Sequence, residues 1–163
     1  MFDCVARWKS AYIRPERVEI CRPVQFLRYA TNYGGVLRKS DQLRKRVSYQ
    51  LFATILIDVC YKVYGSVAEA GDSPNHTNHL HALQDVFHRR LNQGRLYQTP
   101  CLGWSEFTPS YFGPLRDATR PCEDINDRVP SMLTRVFNSD TEGLFAPVYK
   151  DVIIDKGVLS FAE

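Results

Sequence analysis

The clearest pattern in the chain is an alternation of apolar residues from Gln50 to Val67, followed by a helical spacing from His79 to Gln93. Alternation at every second residue is the period of a β-strand, so Gln50–Val67 is predicted to be a long central strand, covered on both sides in its first half. Steps of three and four predict an amphipathic helix over His79–Gln93, capped by Asn78. The strand's inner face is Leu51, Ala53, Ile55, Ile57, Val59, Tyr61 and Val63, and the helix stripe is Leu80, Leu83, Phe87 and Leu91.

Shorter apolar runs predict further strands. Residues 17–22 form a short strand that ends at Pro23, and residues 24–29 extend it past a bulge. Near the C-terminus, Gly157 supplies the turn of a β-hairpin. Because the helix is separate from a largely antiparallel set of strands, the pattern predicts an α+β domain. The strands expected after the helix are Ser131–Phe137, Val148–Ile154 and Val158–Phe161.

The segment Gly94–Phe107 interrupts these periodic patterns. Gly94 stands where a helix C-terminus favours a residue of positive φ, Pro100 cannot join a strand ladder, and Gly103 permits a tight turn. The segment is therefore expected to be an irregular connection held against the core by Tyr97, Leu102, Trp104 and Phe107.

Charge is unevenly distributed along the 163 residues. Residues 1–50 carry a net charge of +7 and residues 51–163 carry −4, which favours a polyanion on one side and protein on the other. The cations cluster in residues 31–49, called the basic arm below. The arm is predicted to be a charged hairpin that binds RNA phosphates, with tyrosine rings on which bases can stack. A merely solvated face is the alternative. The predicted RNA-binding residues are Arg28, Tyr33, Arg38, Lys39, Arg44, Lys45, Arg46 and Tyr49.

Five widely spaced cysteines without a C-x-x-C pair favour reduced thiols in a cytoplasmic protein over disulfides or a zinc site. Cys101 is expected to be a small buried apolar residue. His81, Asp85 and His88 share one helix face, but their spacing is not H-E-x-x-H, so no metal and no cofactor is predicted. No apolar run approaches the roughly 18–20 residues that span a bilayer, so no membrane partner is expected.

The segment Arg95–Phe107, RLYQTPCLGWSEF, resembles the Q-x-P-x-L-G-x-x-E-F signature of the fifth CRISPR-associated protein family, subtype I-C, in the repeat-associated mysterious protein superfamily. Weaker similarity covers the rest of the chain, where Trp8-Lys9 resembles a W-K-P motif and Phe87–Gly94 resembles an F-x-R-R helix end. The positions that match the signature are Gln98, Pro100, Leu102, Gly103, Glu106 and Phe107.

This resemblance implies a ferredoxin-like, RNA-recognition-type domain with a small C-terminal antiparallel β-sheet. The expected division is residues 1–93 for the RNA-binding domain, including the basic arm 31–49, and residues 94–163 for the connection and the C-terminal β domain. It also implies a subunit of the CRISPR effector complex, Cascade, that binds the 5′ handle of crRNA and contacts other Cascade protein subunits.

Members of subtype I-C also cut precursor crRNA without metal, through a Lys-His pair early in the long helix and a Tyr or His near the W-K-P motif. Here the Lys-His pair aligns with Ala82 and Leu83, so RNA binding is expected to carry over better than cleavage. One alternative is an active endoribonuclease, in which His81 is the general acid or base and Arg7 or Lys9 stabilises the developing phosphorane charge. Another is a protein-interaction module without RNA binding.

The first residues raise one more expectation. Residues 1–8 place Phe2, Val5 and Ala6 on one helical face without a preceding cap, so the chain is expected to begin inside a helix. The family resembled here has a strand ahead of this point. The domain is therefore expected to be N-terminally incomplete, lacking a central strand beside Gln50–Val67.

Overall fold

The computed structural model describes residues 1–34, 38–70, 76–137 and 145–161. A single 3₁₀ turn, Phe2–Cys4, precedes seven strands and two α-helices in these residues. The elements in chain order are β1 (Ala11–Ile20), β2 (Phe26–Tyr33), α1 (Ser40–Arg44), β3 (Tyr49–Leu56), β4 (Tyr61–Glu69), α2 (His76–Asn92), β5 (Asp127–Phe137), β6 (Phe145–Asp155) and β7 (Val158–Ser160).

The strands form two antiparallel sheets. One has five strands in the order β4-β1-β7-β6-β5, and the other is the pair β2-β3. Strand β7 pairs with β1 on one side and with β6 on the other, so the larger sheet combines strands from before and after residue 94. The α+β class with a largely antiparallel sheet is confirmed, while the domain division at residue 93 stays a prediction.

Helix α2 supplies the apolar cover of the larger sheet at its β4-β1 end. Its apolar stripe packs on β1 and β4, with Leu83 fully buried beside Ala11, and Trp8 joins the same cluster. The helix prediction is confirmed, although α2 begins earlier than expected and Asn78 lies inside it rather than at its cap. A second cluster centres on Val152, Ile154 and Leu159 from the C-terminal hairpin.

The C-terminal hairpin forms as the sequence predicts. Its turn places Lys156 and Gly157 at positive φ, 46° and 74°, the pair of left-handed residues that a tight two-residue hairpin turn requires. A Cβ on Gly157 would lie 2.5 Å from the backbone oxygen of Cys122, so the position excludes any side chain. The turn glycine therefore also lets the loop before β5 pack against the hairpin.

The predicted long strand Gln50–Val67 is wrong. It is two strands in different sheets, β3 and β4, separated at Asp58, which has φ 52° and an ion pair with Arg22. Asp tolerates the left-handed region better than most residues, and the apolar alternation keeps its phase through Ile57 and Val59, so the pattern conceals the break. β4 lies at a sheet edge, not at the centre.

The first predicted strand also differs. β1 begins at Ala11 and runs through Pro15, and its ladder with β4 shifts register between Pro15 and Arg17. Proline is accepted in a sheet at a bulge or where one side is unpaired, and the β1-β7 ladder covers Arg17–Glu19 of β1, beyond Pro15. Residues 24–29 do not extend β1 but lead into β2 of the smaller sheet.

Candidate nucleic-acid interface

Strands β2 and β3 form a two-stranded sheet, and we call this sheet, together with the described residues of the arm between its strands, the ribbon (residues 26–34 and 38–56). Its register runs without interruption from the pair Phe26–Leu56 to the pair Tyr33–Tyr49. Side chains alternate between two faces along each strand. Odd-numbered residues of β2 and β3, except Leu27, are partly buried on an inner face, and even-numbered residues are exposed on an outer face. One face of the ribbon is therefore partly covered, and the other is exposed.

The inner face rests on the signature loop, residues 98–107, through one aromatic cluster. The Tyr29 ring lies edge-on to Trp104 and Phe107, with centroid separations of 6.4 and 5.6 Å. Trp104 and Phe107 stack with an interplanar angle of 14°. The Leu102 amide donates to the Phe107 carbonyl oxygen at 2.8 Å, and Gly103 takes a positive φ of 86° inside this closed turn. The loop thus presents its two rings to the ribbon.

The other end of the signature loop holds the N-terminal turn. The backbone amides of Tyr97 and Gln98 both donate to the Cys4 carbonyl oxygen, at 2.6 and 3.2 Å, and Pro100 is buried. Glu106 is exposed. The expectation that the Tyr97 side chain anchors this segment is wrong, because that side chain is 62% exposed and the anchor is its backbone. Cys101, expected to be buried, is also exposed.

The outer face of the ribbon carries exposed aromatic rings that the sequence analysis missed. Phe26 is 67% exposed and Phe52 is 74% exposed, and Arg28 lies between them in the register of the ribbon. The sequence signal was present, since both rings occupy the even positions of the alternation. Phe52 was assigned to a covered strand because Gln50–Val67 was interpreted as one long central element, and Phe26 was placed in the segment expected to extend the first strand. In the folded chain they offer flat apolar surfaces beside a cation.

The tip of the ribbon carries the predicted arm cations. Lys39, Arg44, Lys45 and Arg46 are exposed around the short helix α1. Arg38 is different, since its guanidinium donates to the Val47 carbonyl oxygen at 3.2 Å and so helps to close the arm. Tyr33 and Tyr49 lie directly opposite each other and their rings meet edge to face at 5.8 Å. The structure therefore places four exposed cations at the tip and pairs the two tyrosines with each other.

The candidate catalytic residues do not form a catalytic arrangement. His81 is exposed on α2, and Arg7 and Lys9 are exposed between the N-terminal turn and β1. Within the part of the chain that the structure describes, none of their side chains forms a hydrogen bond or ion pair. Trp8, between the two cations, turns instead into the α2 cluster. Nothing in these contacts orients an imidazole toward a phosphate.

The contact between ribbon and signature loop predicts a measurable stability difference. Replacing Tyr29 by Leu removes two aromatic contacts, each worth about 0.5–1.5 kcal/mol beyond area burial, and we expect the free energy of unfolding in urea to fall by about 1 kcal/mol. The matched control is Phe26→Leu on the exposed face of the same strand, expected to change it by less than about 0.5 kcal/mol. Equal effects of the two substitutions would show that the loop does not support the ribbon.

Comparison of the chain with protein-family models and with curated protein sequences finds no match. Across the described residues, no group of three or more His, Cys, Asp or Glu side chains is arranged to hold a metal ion. No helix in the described ranges combines the length and apolar character that crossing a bilayer requires. The arguments for function therefore come from the ribbon and the loop beneath it.

Proposed function

We propose that this chain is an RNA-binding subunit of a type I-C CRISPR effector complex, which binds the 5′ handle of crRNA with its ribbon and basic arm. The observation that carries the proposal is the set of exposed groups on this part of the chain: two aromatic rings and Arg28 lie on the outer face of β2 and β3, and four exposed cations lie between the two strands in the chain. Single-stranded RNA is bound by this combination, because cations neutralise phosphates while aromatic planes stack on bases of any sequence.

Spacing along the ribbon suits a single strand. Phe26 pairs with Leu56, and Phe52 pairs with Ala30 four residues further along. At about 3.4 Å per residue the two rings lie about 14 Å apart, with Arg28 midway. An extended single strand advances over such a distance in a few nucleotides, so both rings can stack on bases of one bound strand while the guanidinium meets a phosphate between them.

The signature loop supports the family assignment within this proposal. The resemblance to the CRISPR-associated family rests on Gln98–Phe107, and Phe107 from that motif packs under Tyr29 of the ribbon. The motif is thus connected to the surface proposed to bind RNA. The ferredoxin-like architecture belongs to the proposal too, supported by the unit β1-β4-α2, in which a helix follows and covers two antiparallel strands.

Binding without cleavage is the activity that we propose. A general acid or base contributes about 10²–10⁴-fold only when it is positioned against the proton it transfers, and His81 has no described partner that would position it. Contacts with other Cascade subunits would use the less basic remainder of the chain, and the cytoplasm is the compartment in which such a complex meets its RNA.

One experiment tests both parts of the proposal. Labelled single-stranded RNA is incubated with the full chain in metal-free buffer, and each sample is divided between filter binding across a salt series and a denaturing gel. We expect affinity that falls steeply as salt rises, and intact RNA on the gel. Absence of binding at low salt would favour the protein-interaction module. Specific cutting that disappears in the His81→Ala variant would favour the endoribonuclease.

A further inference from the structure

Two cysteines face each other at the point where the ribbon joins the larger sheet. Cys21 follows β1 directly, and Cys60 precedes β4 directly. The β1-β4 ladder ends in the pair Ile20–Tyr61, and the next pair in that register is Cys21–Cys60. The Cys21 amide donates to the Cys60 carbonyl oxygen at 2.8 Å, so one backbone hydrogen bond joins the two residues just beyond the end of the ladder. The two cysteines are therefore directly opposed neighbours on antiparallel backbones.

Their side chains lie on the same side of the sheet. In this ladder the opposed pair Arg17–Tyr64 shows which residues share that side, because the guanidinium of Arg17 lies 4.1 Å from the centre of the Tyr64 ring. Every second residue of a strand lies on the same side. Glu19 and Lys62 therefore lie on the side of Arg17 and Tyr64, and so do Cys21 and Cys60. Opposed residues of a hydrogen-bonded antiparallel pair have Cα atoms about 5.5 Å apart, within the range of about 4.4–6.8 Å found for disulfides.

Both thiols are free and partly buried. The Cys21 thiol donates a weak hydrogen bond to the Glu19 carbonyl oxygen at 3.6 Å. Burial raises the pKa of the Cys21 thiol, the nearby Cys60 raises it further, and Lys62 opposes the shift. The two sulfur atoms thus share one microenvironment, beside a lysine whose ammonium donates to the Thr119 carbonyl oxygen at 2.6 Å.

We propose that Cys21 and Cys60 are a modification site that forms a reversible disulfide by exchange with small-molecule disulfides such as oxidised glutathione. One thiolate attacks a sulfur of the glutathione disulfide and releases one glutathione. The second thiolate then attacks the protein sulfur of the mixed disulfide and releases the other. Two protein thiols are oxidised, one glutathione disulfide is reduced to two thiols, and the two protein protons end on them.

The position of the pair gives the disulfide a structural effect. The whole ribbon lies between Cys21 and Cys60 in the chain. The two segments that join it to the larger sheet, residues 21–25 and 57–60, are called the neck. The Arg22–Asp58 ion pair and a hydrogen bond from the Ile57 amide to the Gln25 carbonyl oxygen also hold the neck. Oxidation would close this neck covalently. The bond is reversible because thiol–disulfide exchange with reduced glutathione runs in both directions. This inference is independent of the proposed function.

The tryptic map of the chain makes the test direct. Each of the five cysteines lies on a separate tryptic peptide, with Cys21 in residues 18–28, Cys60 in residues 47–62, and the others in residues 1–7, 96–116 and 117–128. The full chain is incubated with oxidised glutathione, quenched in acid, alkylated and digested. We expect a linked peptide of residues 18–28 and 47–62, and its loss on treatment with excess reduced glutathione.

Variants separate this site from general thiol oxidation. In Cys21→Ser and Cys60→Ser the linked peptide should disappear, and the remaining cysteine of the pair should keep a bound glutathione. Cys101→Ser, which removes the exposed cysteine, should leave the linked peptide unchanged. The proposal is overturned if both Cys21 and Cys60 of the unmodified sequence carry glutathione without a link, if they stay reduced while Cys101 reacts, or if the link joins either of them to Cys122.

Discussion

Single-stranded RNA binding is expected to weaken about 100-fold at about 0.1 M salt when Arg44 and Lys45 are replaced by Gln and Arg46 by Asn. The three cations are exposed at the tip of the ribbon. Each phosphate contact on a single strand adds about 0.7 to the salt slope of log K, which is about fivefold in affinity at this salt concentration. Asn is chosen for Arg46 because the residue has φ 54°, a region that Asn tolerates.

The measurement is filter binding across a salt series, in which the slope should decrease by about 2 in the triple variant. Arg38 is left in place because its bond to Val47 holds the arm together. A matched control neutralises Arg89, Arg95 and Arg120, three exposed cations outside the ribbon, and changes the net charge equally. If the control variant lost as much affinity as the arm variant, binding would reflect overall charge and not the arm.

Local patterns were sufficient to predict several parts of this fold. The helix α2 was predicted because its apolar stripe and its polar face are both complete over four turns, and tertiary contacts only confirm them. The C-terminal hairpin was predicted because Gly157 sits between two apolar runs. The arm was predicted as a hairpin between two strands from the turn signal Gly34-Gly35, and β2 and β3 do pair on either side of it, although the helix α1 within it was not predicted. In each case the signal lies within a short stretch of chain.

The parts that could not be predicted depend on which segments meet in space. Hydrophobic alternation shows which side chains share a face, but not which sheet a strand joins. The change of sheet at Asp58 therefore does not interrupt the alternation of apolar residues. The exposure of Phe26 and Phe52 could not be predicted for the same reason, because it depends on which sheet their strands join and on what covers each face. Cys21 and Cys60 are 39 positions apart in the chain, and their proximity can be seen only once the register of β1 with β4 is known.

Replacing Leu83 by Ala is expected to lower the free energy of unfolding by about 3–5 kcal/mol, measured by urea denaturation. Leu83 is 1% exposed and lies at the centre of the cluster that joins α2 to Ala11 of β1 and to Ala6. Two of its buried neighbours are alanines, which cannot move into the space that the substitution leaves. The cavity therefore remains open, and Leu→Ala costs most where the surroundings cannot collapse.

Two substitutions separate this cavity effect from a general effect of mutation. Leu83→Met keeps most of the volume and is expected to cost less than about 1.5 kcal/mol. Leu43→Ala removes the same atoms from a residue of α1 that is 42% exposed, and it should change stability by much less. A domain is stable by about 5–15 kcal/mol, so the Ala variant should approach unfolding while the two controls stay folded. If Leu83→Ala cost no more than Leu43→Ala, α2 would not be the main support of the β1-β4 pair.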